Sequence, residues 1–204
     1  IPTLHQLHEE VTNYSFDDLQ QLLKEIQPDV LLDELTNKDI ETDREQQNTV
    51  EYTRVVLPFA RENDVPMVAL EPDEPLYSVI IGKMRKNHQR AALEDSLNLD
   101  IFGQYLDLFY AKFSNDLIQS GADLASDKFD VLCKIKHEFQ SVIYGEIETE
   151  VWDMWNTNFL ETILKSNAAH KESKIVVLVG AEHHYWLKEK LLENELSLST
   201  LPFK

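Results

Sequence analysis

Cysteine is all but missing from this chain of 204 residues: Cys133 stands alone, which excludes an intrachain disulfide and a cysteine-based metal cluster. Glycine (5) and proline (7) are sparse, so long structureless linkers are not expected. No apolar run approaches the roughly 20 residues a membrane-spanning helix needs, and no signal peptide is visible. Basic residues are also scarce, with 19 Lys and Arg against 37 Asp and Glu and a net charge of −18. Such a field repels nucleic acid and anionic lipid at long range, so no nucleic-acid partner is expected. It suits a cationic ligand or metal ion, although a well-solvated surface is its simpler meaning. The chain starts at Ile1 rather than methionine, and the expectation is that something upstream was removed.

What is present is ordinary for a globule: 43% hydrophobic and 27% charged residues. Length and composition predict a single α/β domain over 1–204. Ser15 with Asp18 forms a helix-start signature, and Leu19, Leu22, Leu23 and Ile26 follow at helical spacing, ending near Pro28. Val30-Leu31-Leu32 is the kind of short apolar run that makes a strand buried on both faces, with Glu34 just past its end. A helix is expected over about 43–62, with Val50, Val55, Phe59 and Ala60 in the core and Pro58 bending or breaking it. Pro66 to Leu70 reads as a second buried strand followed by Glu71. From 76 to 170 only helical patterns occur, which predicts a long helical insertion; its aromatic residues, Trp152, Trp155 and Phe159 among them, read as packing. Ile175 to Val179 is the clearest strand, mostly β-branched and closed by Gly180, and the helix after it has His183 and His184 in or before its first turn. The tail from Leu196 to Phe203 alternates weakly and is a candidate edge strand. The fold class is therefore α/β: a small, mainly parallel sheet flanked by helices, with the helical insertion before the last strand.

Parallel strands joined by right-handed crossovers put their carboxyl ends on one side. His5, Glu34, Glu71 and His183 each follow an apolar strand, the first of them lying mostly upstream of Thr3. A single Glu at a strand end is usually solvated, and a single His is usually a satisfied surface or core residue. Four polar residues at the same topological position make a site the better reading. A histidine at a helix start is kept neutral by the helix dipole, as a base or metal ligand requires. Gly180 is expected to let the chain turn sharply out of its strand. Two imidazoles and two carboxylates are the ligand set of a divalent metal site (Zn, Mn or Co), or the parts of a general acid and base pair without metal; the sequence leaves both open. His8 could join His5 on one turn, and His184 flanks His183 with its ring expected to point away; both are candidate substrate-binding residues, as is Asn158. His88, His137 and His170 read as surface residues.

At these residues the chain resembles the Tiki, TraB and erythromycin-esterase-like superfamily, which includes haem-uptake proteins of the ChaN type. The resemblance rests on Pro2-Thr3-Leu4-His5, Pro28-Asp29-Val30-Leu31-Leu32-Asp33-Glu34, Val68-Ala69-Leu70-Glu71 and Val179-Gly180-Ala181-Glu182-His183. It covers both ends of the chain and skips most of the helical middle. Pro2 stands where the family has glycine, and Thr157-Asn158 stands where an Arg-Asn pair is common, removing an anchor for anionic groups.

The resemblance implies hydrolysis of a peptide or ester bond, with or without a divalent metal, acting on a small-molecule or peptide substrate. His183 or His5 would be the base, with Glu34 and Glu71 orienting it or holding a metal. Other expectations are a non-catalytic haem or small-ligand binding protein of the ChaN type, or an inert relative acting through a protein partner. The expected compartment is extracytoplasmic, secreted or periplasmic. Oligomeric state is left open.

Overall fold

The computed structural model describes residues 1–11, 13–42 and 49–203. Four strands, β1 (Pro2–Thr3), β2 (Val30–Asp33), β3 (Met67–Ala69) and β4 (Ile175–Gly180), form one all-parallel sheet in the order β1-β4-β2-β3. The last strand thus sits inside the sheet, with Leu31 opposite Val176 and Asp33 opposite Leu178. A strand hydrogen-bonded on both edges and covered on both faces must be apolar throughout, which explains its unbroken run of β-branched residues and leucine. Side chains alternate strictly. Leu31, Val176 and Leu178 enter one core, while Val30, Leu32 and Val179 enter the other.

Helix α1 (Phe16–Ile26) is closed at its start by a reciprocal capping box between Ser15 and Asp18, and at its end by Gln27 in a left-handed conformation. It packs Leu19 and Leu23 on the first core face. The short helix α2 (Asn37–Thr42) follows β2. Of the helix expected over 43–62, residues 43–48 lie outside the described residues. A π-helical stretch, Tyr52–Val56, runs directly into α3 (Leu57–Glu62). Pro58 does not break this segment: the helix runs through it, and the turn just before it is widened to π-helix. Val55, Phe59 and Ala60 are buried as the pattern predicts.

Five helices fill the stretch before the last strand: α4 (Leu76–Glu94), α5 (Ser96–Lys112), α6 (Gly121–Leu124), α7 (Asp127–Tyr144) and α8 (Glu146–Ala169). Helix α8 returns the chain to the sheet and lays Phe159 and Ile163 on the second face, beside Leu187 and Leu191 of α9 (His184–Glu193). The tail after α9 does not form a strand. Phe203 instead packs edge-on against Tyr14, at 6.0 Å between ring centres, because an aromatic anchor in the core outweighs weak alternation. Among the described residues no helix is long and apolar enough to cross a membrane.

Candidate active site

All four strands end on one edge of the sheet, and the residues just beyond them build a buried polar cluster. His5 follows β1 with a left-handed backbone, φ 50°, an uncommon conformation for a non-glycine residue. Its ring Nδ1 lies 2.7 Å from Glu51 Oε1, and its Nε2 lies 3.6 Å from Glu34 Oε2. Glu34, just past β2, also accepts the Gly180 N–H at 2.6 Å through Oε2, and presents Oε1 at 3.7 Å to His183 Nε2. One carboxylate is therefore flanked by two imidazoles from opposite ends of the chain.

The two rings are held differently. His183 Nδ1 lies 2.8 Å from Asn156 Oδ1, and Asn156 donates its own amide N–H to the Trp152 carbonyl at 2.8 Å. That second bond fixes which way the amide faces, so Nδ1 of His183 carries the proton and Nε2 keeps a free lone pair. Trp152 stacks on the His183 ring at 4.5 Å and 18°, and Phe159 lies against it at 5.1 Å. Burial in this aromatic setting pushes the His183 pKa below its ordinary value, more than the Glu34 charge raises it. Burial acts on His5 in the same direction, but Glu34, the hydrogen-bonded Glu51 and Asp33 outweigh it and raise His5 to about 9. Glu51 is 1% exposed; burial alone would push its carboxyl up, yet the contact with His5 holds it below the usual range.

Burial, reinforced by Glu34, pushes the Glu71 carboxyl well up. Trp155 is close enough to favour its charged form slightly, but Glu71 Oε2 and Trp155 Nε1 close no hydrogen bond of proper geometry among the described residues. Asp33, 1% exposed, is likewise pushed up by burial and then by Glu51.

Other expected residues lie elsewhere. His8 is 4% exposed and takes a structural position: its Nε2 accepts the Leu4 N–H at 3.1 Å and its Nδ1 meets the Tyr14 carbonyl at 2.9 Å. These two bonds hold it inward, while the left-handed backbone of His5 aims that ring at Glu34 and Glu51. His184 points to α7, where Asp130 lies 2.6 Å from its Nδ1. Neither ring lies at the cluster. Asn158 donates to the Leu70 carbonyl at 2.8 Å, bracing the chain just before Glu71. It also lines a groove of about 430 Å³ between α4 and α8 with Leu76, Met154, Thr157, Glu150, Asp153 and Glu161, within the size range of ligand pockets. Two histidines that read as surface residues have acidic partners: His88 meets Glu148 at 3.0 Å, and the buried His137 meets Glu182 at 3.1 Å.

Glu51, Asn156 and Trp152 were not legible as site residues. Their signal is a polar residue on an apolar helical stripe: Glu51 is four positions before buried Val55, and Asn156 sits among Trp152, Phe159 and Ile163 at spacings of four, three and four.

Gly180 has φ −49°, which any residue can adopt, so the turn itself does not require glycine. The close approach of His5 does. An added Cβ would lie 2.5 Å from His5 Nε2 and 3.4 Å from Glu34 Oε2. Gly180→Ala is expected to cost about 1–3 kcal/mol, as overpacking does, and to shift the denaturant midpoint down without changing the slope; an unchanged midpoint would show that His5 yields freely.

The donor set can be tested against a metal. His5 Nε2, Glu34 and His183 Nε2 approach pairwise, but among the described residues no three His, Cys, Asp or Glu side chains are arranged to hold an ion. His5 is also engaged as a cation by two carboxylates. The described residues as arranged do not fit a metal centre. Comparison with known proteins returns no matching family model, no matching curated protein and no matching solved structure.

Proposed function

We propose that this chain is a hydrolase of ester or peptide bonds, of the kind its Tiki, TraB and erythromycin-esterase-like motifs suggest. One observation carries the reading: two imidazoles flank Glu34 and are pushed apart in protonation, His183 kept neutral by burial and His5 kept charged near pH 7 by its carboxylates. Paired titratable groups displaced in opposite directions are the mark of an acid and base assignment.

In this mechanism His183 Nε2 and Glu34 Oε1 are two acceptors set to receive the hydrogens of one attacking water. His183 takes the proton as the water oxygen adds to the substrate carbonyl. The His5 imidazolium, aimed by Glu51, lies on the other side of Glu34 and supplies positive charge to the oxyanion or a proton to the leaving group. The groove beside Asn158 holds none of these residues, and its Glu150 and Glu161 are paired with Lys83 and Lys165, so it takes no part in this reading; ligand binding without turnover is the second reading.

The test is kcat/KM against pH on a panel of aryl esters and short peptides, using protein purified without chelator and analysed for bound metal. A bell is expected, with its acid limb below pH 6.5 and its alkaline limb near 9. A rate that keeps rising through pH 10 would remove His5 from the mechanism, and no turnover of any panel member would end the hydrolase reading.

A further inference from the structure

Glu182 and His183 are consecutive residues of the 3-10 turn Ala181–His183, and they face opposite ways. His183 meets Glu34, whereas Glu182 enters the helical insertion. There Glu182 Oε2 accepts Lys136 Nζ at 2.6 Å, its Oε1 accepts the Tyr110 hydroxyl, and His137 Nε2 comes within 3.1 Å at an angle outside a proper hydrogen bond. The Lys136 side chain is only 7% exposed. The next residue of α7, His137, stacks on Trp152 at 3.8 Å and 24°, and Trp152 in turn stacks on His183. Two consecutive residues of α7 thus clasp two consecutive residues of the turn: Lys136 holds Glu182 directly, and His137 holds His183 through an indole.

Stability alone is a poor reason for this arrangement. Lys136 is buried and Glu182 partly so; such a pair loses hydration that its attraction restores only in part, and a well-packed apolar replacement is often neutral or better. Such a pair does fix geometry, and the geometry fixed here is that of the peptide carrying the His183 ring. The geometry points to Lys136 as a distal positioning residue for His183, acting through Glu182, so that the helical insertion is a working part of the site. Burial would push the Glu182 carboxyl up, but His137 and Lys136 together hold it far below its usual range, so the clasp persists across neutral pH.

This inference rests on His183 being the proposed base, and the experiment separates the two. The full chain with ring-labelled histidine has seven imidazoles, and His183→Gln assigns the His183 signals. Lys136→Met is expected to shift or double those signals and to lower kcat about tenfold with KM changed less than about twofold, as misplacement of a reacting group does. Lys136→Arg should restore both. Unchanged His183 signals in Lys136→Met overturn the inference. Changed signals in a protein whose parent hydrolyses nothing uphold the clasp and remove the hydrolase. If Lys136→Met fails to fold, Glu182→Gln, which keeps the side chain's shape and removes the charge that Lys136 holds, gives the same readout; unchanged signals there also overturn it.

Discussion

Replacing His183 by alanine is expected to lower kcat/KM by about 10²–10⁴, the usual contribution of a positioned general base. The protein should stay folded, because the ring lies at the edge of the sheet and the cores on both faces do not depend on it. The cost to stability comes from Asn156, which is fully buried and would lose the partner of its Oδ1; an unsatisfied buried acceptor costs about 1–3 kcal/mol. His183→Gln, which can still offer an N–H to Asn156, should lose activity to a similar degree with less destabilisation. Activity within about twofold of the parent in either folded variant would remove His183 as the base.

Removing the Glu51 carboxylate has the next largest expected effect. Glu51→Gln preserves an acceptor for His5 Nδ1 but withdraws a negative charge from 2.7 Å away, and an opposite charge at that range shifts a pKa by about 1–3 units. The alkaline limb should therefore move down from near 9. The same shift governs stability. A histidine whose folded pKa lies above 6.5 contributes stabilisation that is complete below that pH and is lost as pH rises through about 9. Denaturation midpoints of the parent should thus fall across this alkaline window, and those of Glu51→Gln should fall less. Glu51→Ala also removes the ring's orientation and leaves the His5 charge short of a partner; a loss of about 10² in kcat/KM is expected, with a cost of about 3–5 kcal/mol as for other broken buried pairs. Identical alkaline behaviour of parent and Glu51→Gln would show that Glu51 does not set the His5 charge.

The elements that local chemistry dictates were legible in the sequence. Ser15 and Asp18 announce a helix start because each side chain satisfies a backbone N–H of the other's neighbourhood. Ile175 to Val179 announce a strand because an unbroken β-branched run suits one covered on both faces; its place inside the sheet is set by the pairing with β1 and β2. From the parallel strands alone, His5, Glu34, Glu71 and His183 could be assigned to one edge, since parallel strands end on the same side. Composition likewise bounded the charge and the absence of a disulfide.

Tertiary structure decided which side chain meets which. His8 and His184 lie one turn or one residue from the site in sequence, yet Leu4 and Tyr14 hold the first and Asp130 holds the second. Glu51, Asn156 and Trp152 come from helices whose packing against the strand ends no local pattern encodes. The chain's own residues fix helices, strands and their direction because those depend on neighbours a few positions apart. The charge on His5, the lone pair on His183 and the need for glycine at 180 depend on burial and on partners 27 to 175 positions away, which exist only once the sheet has closed.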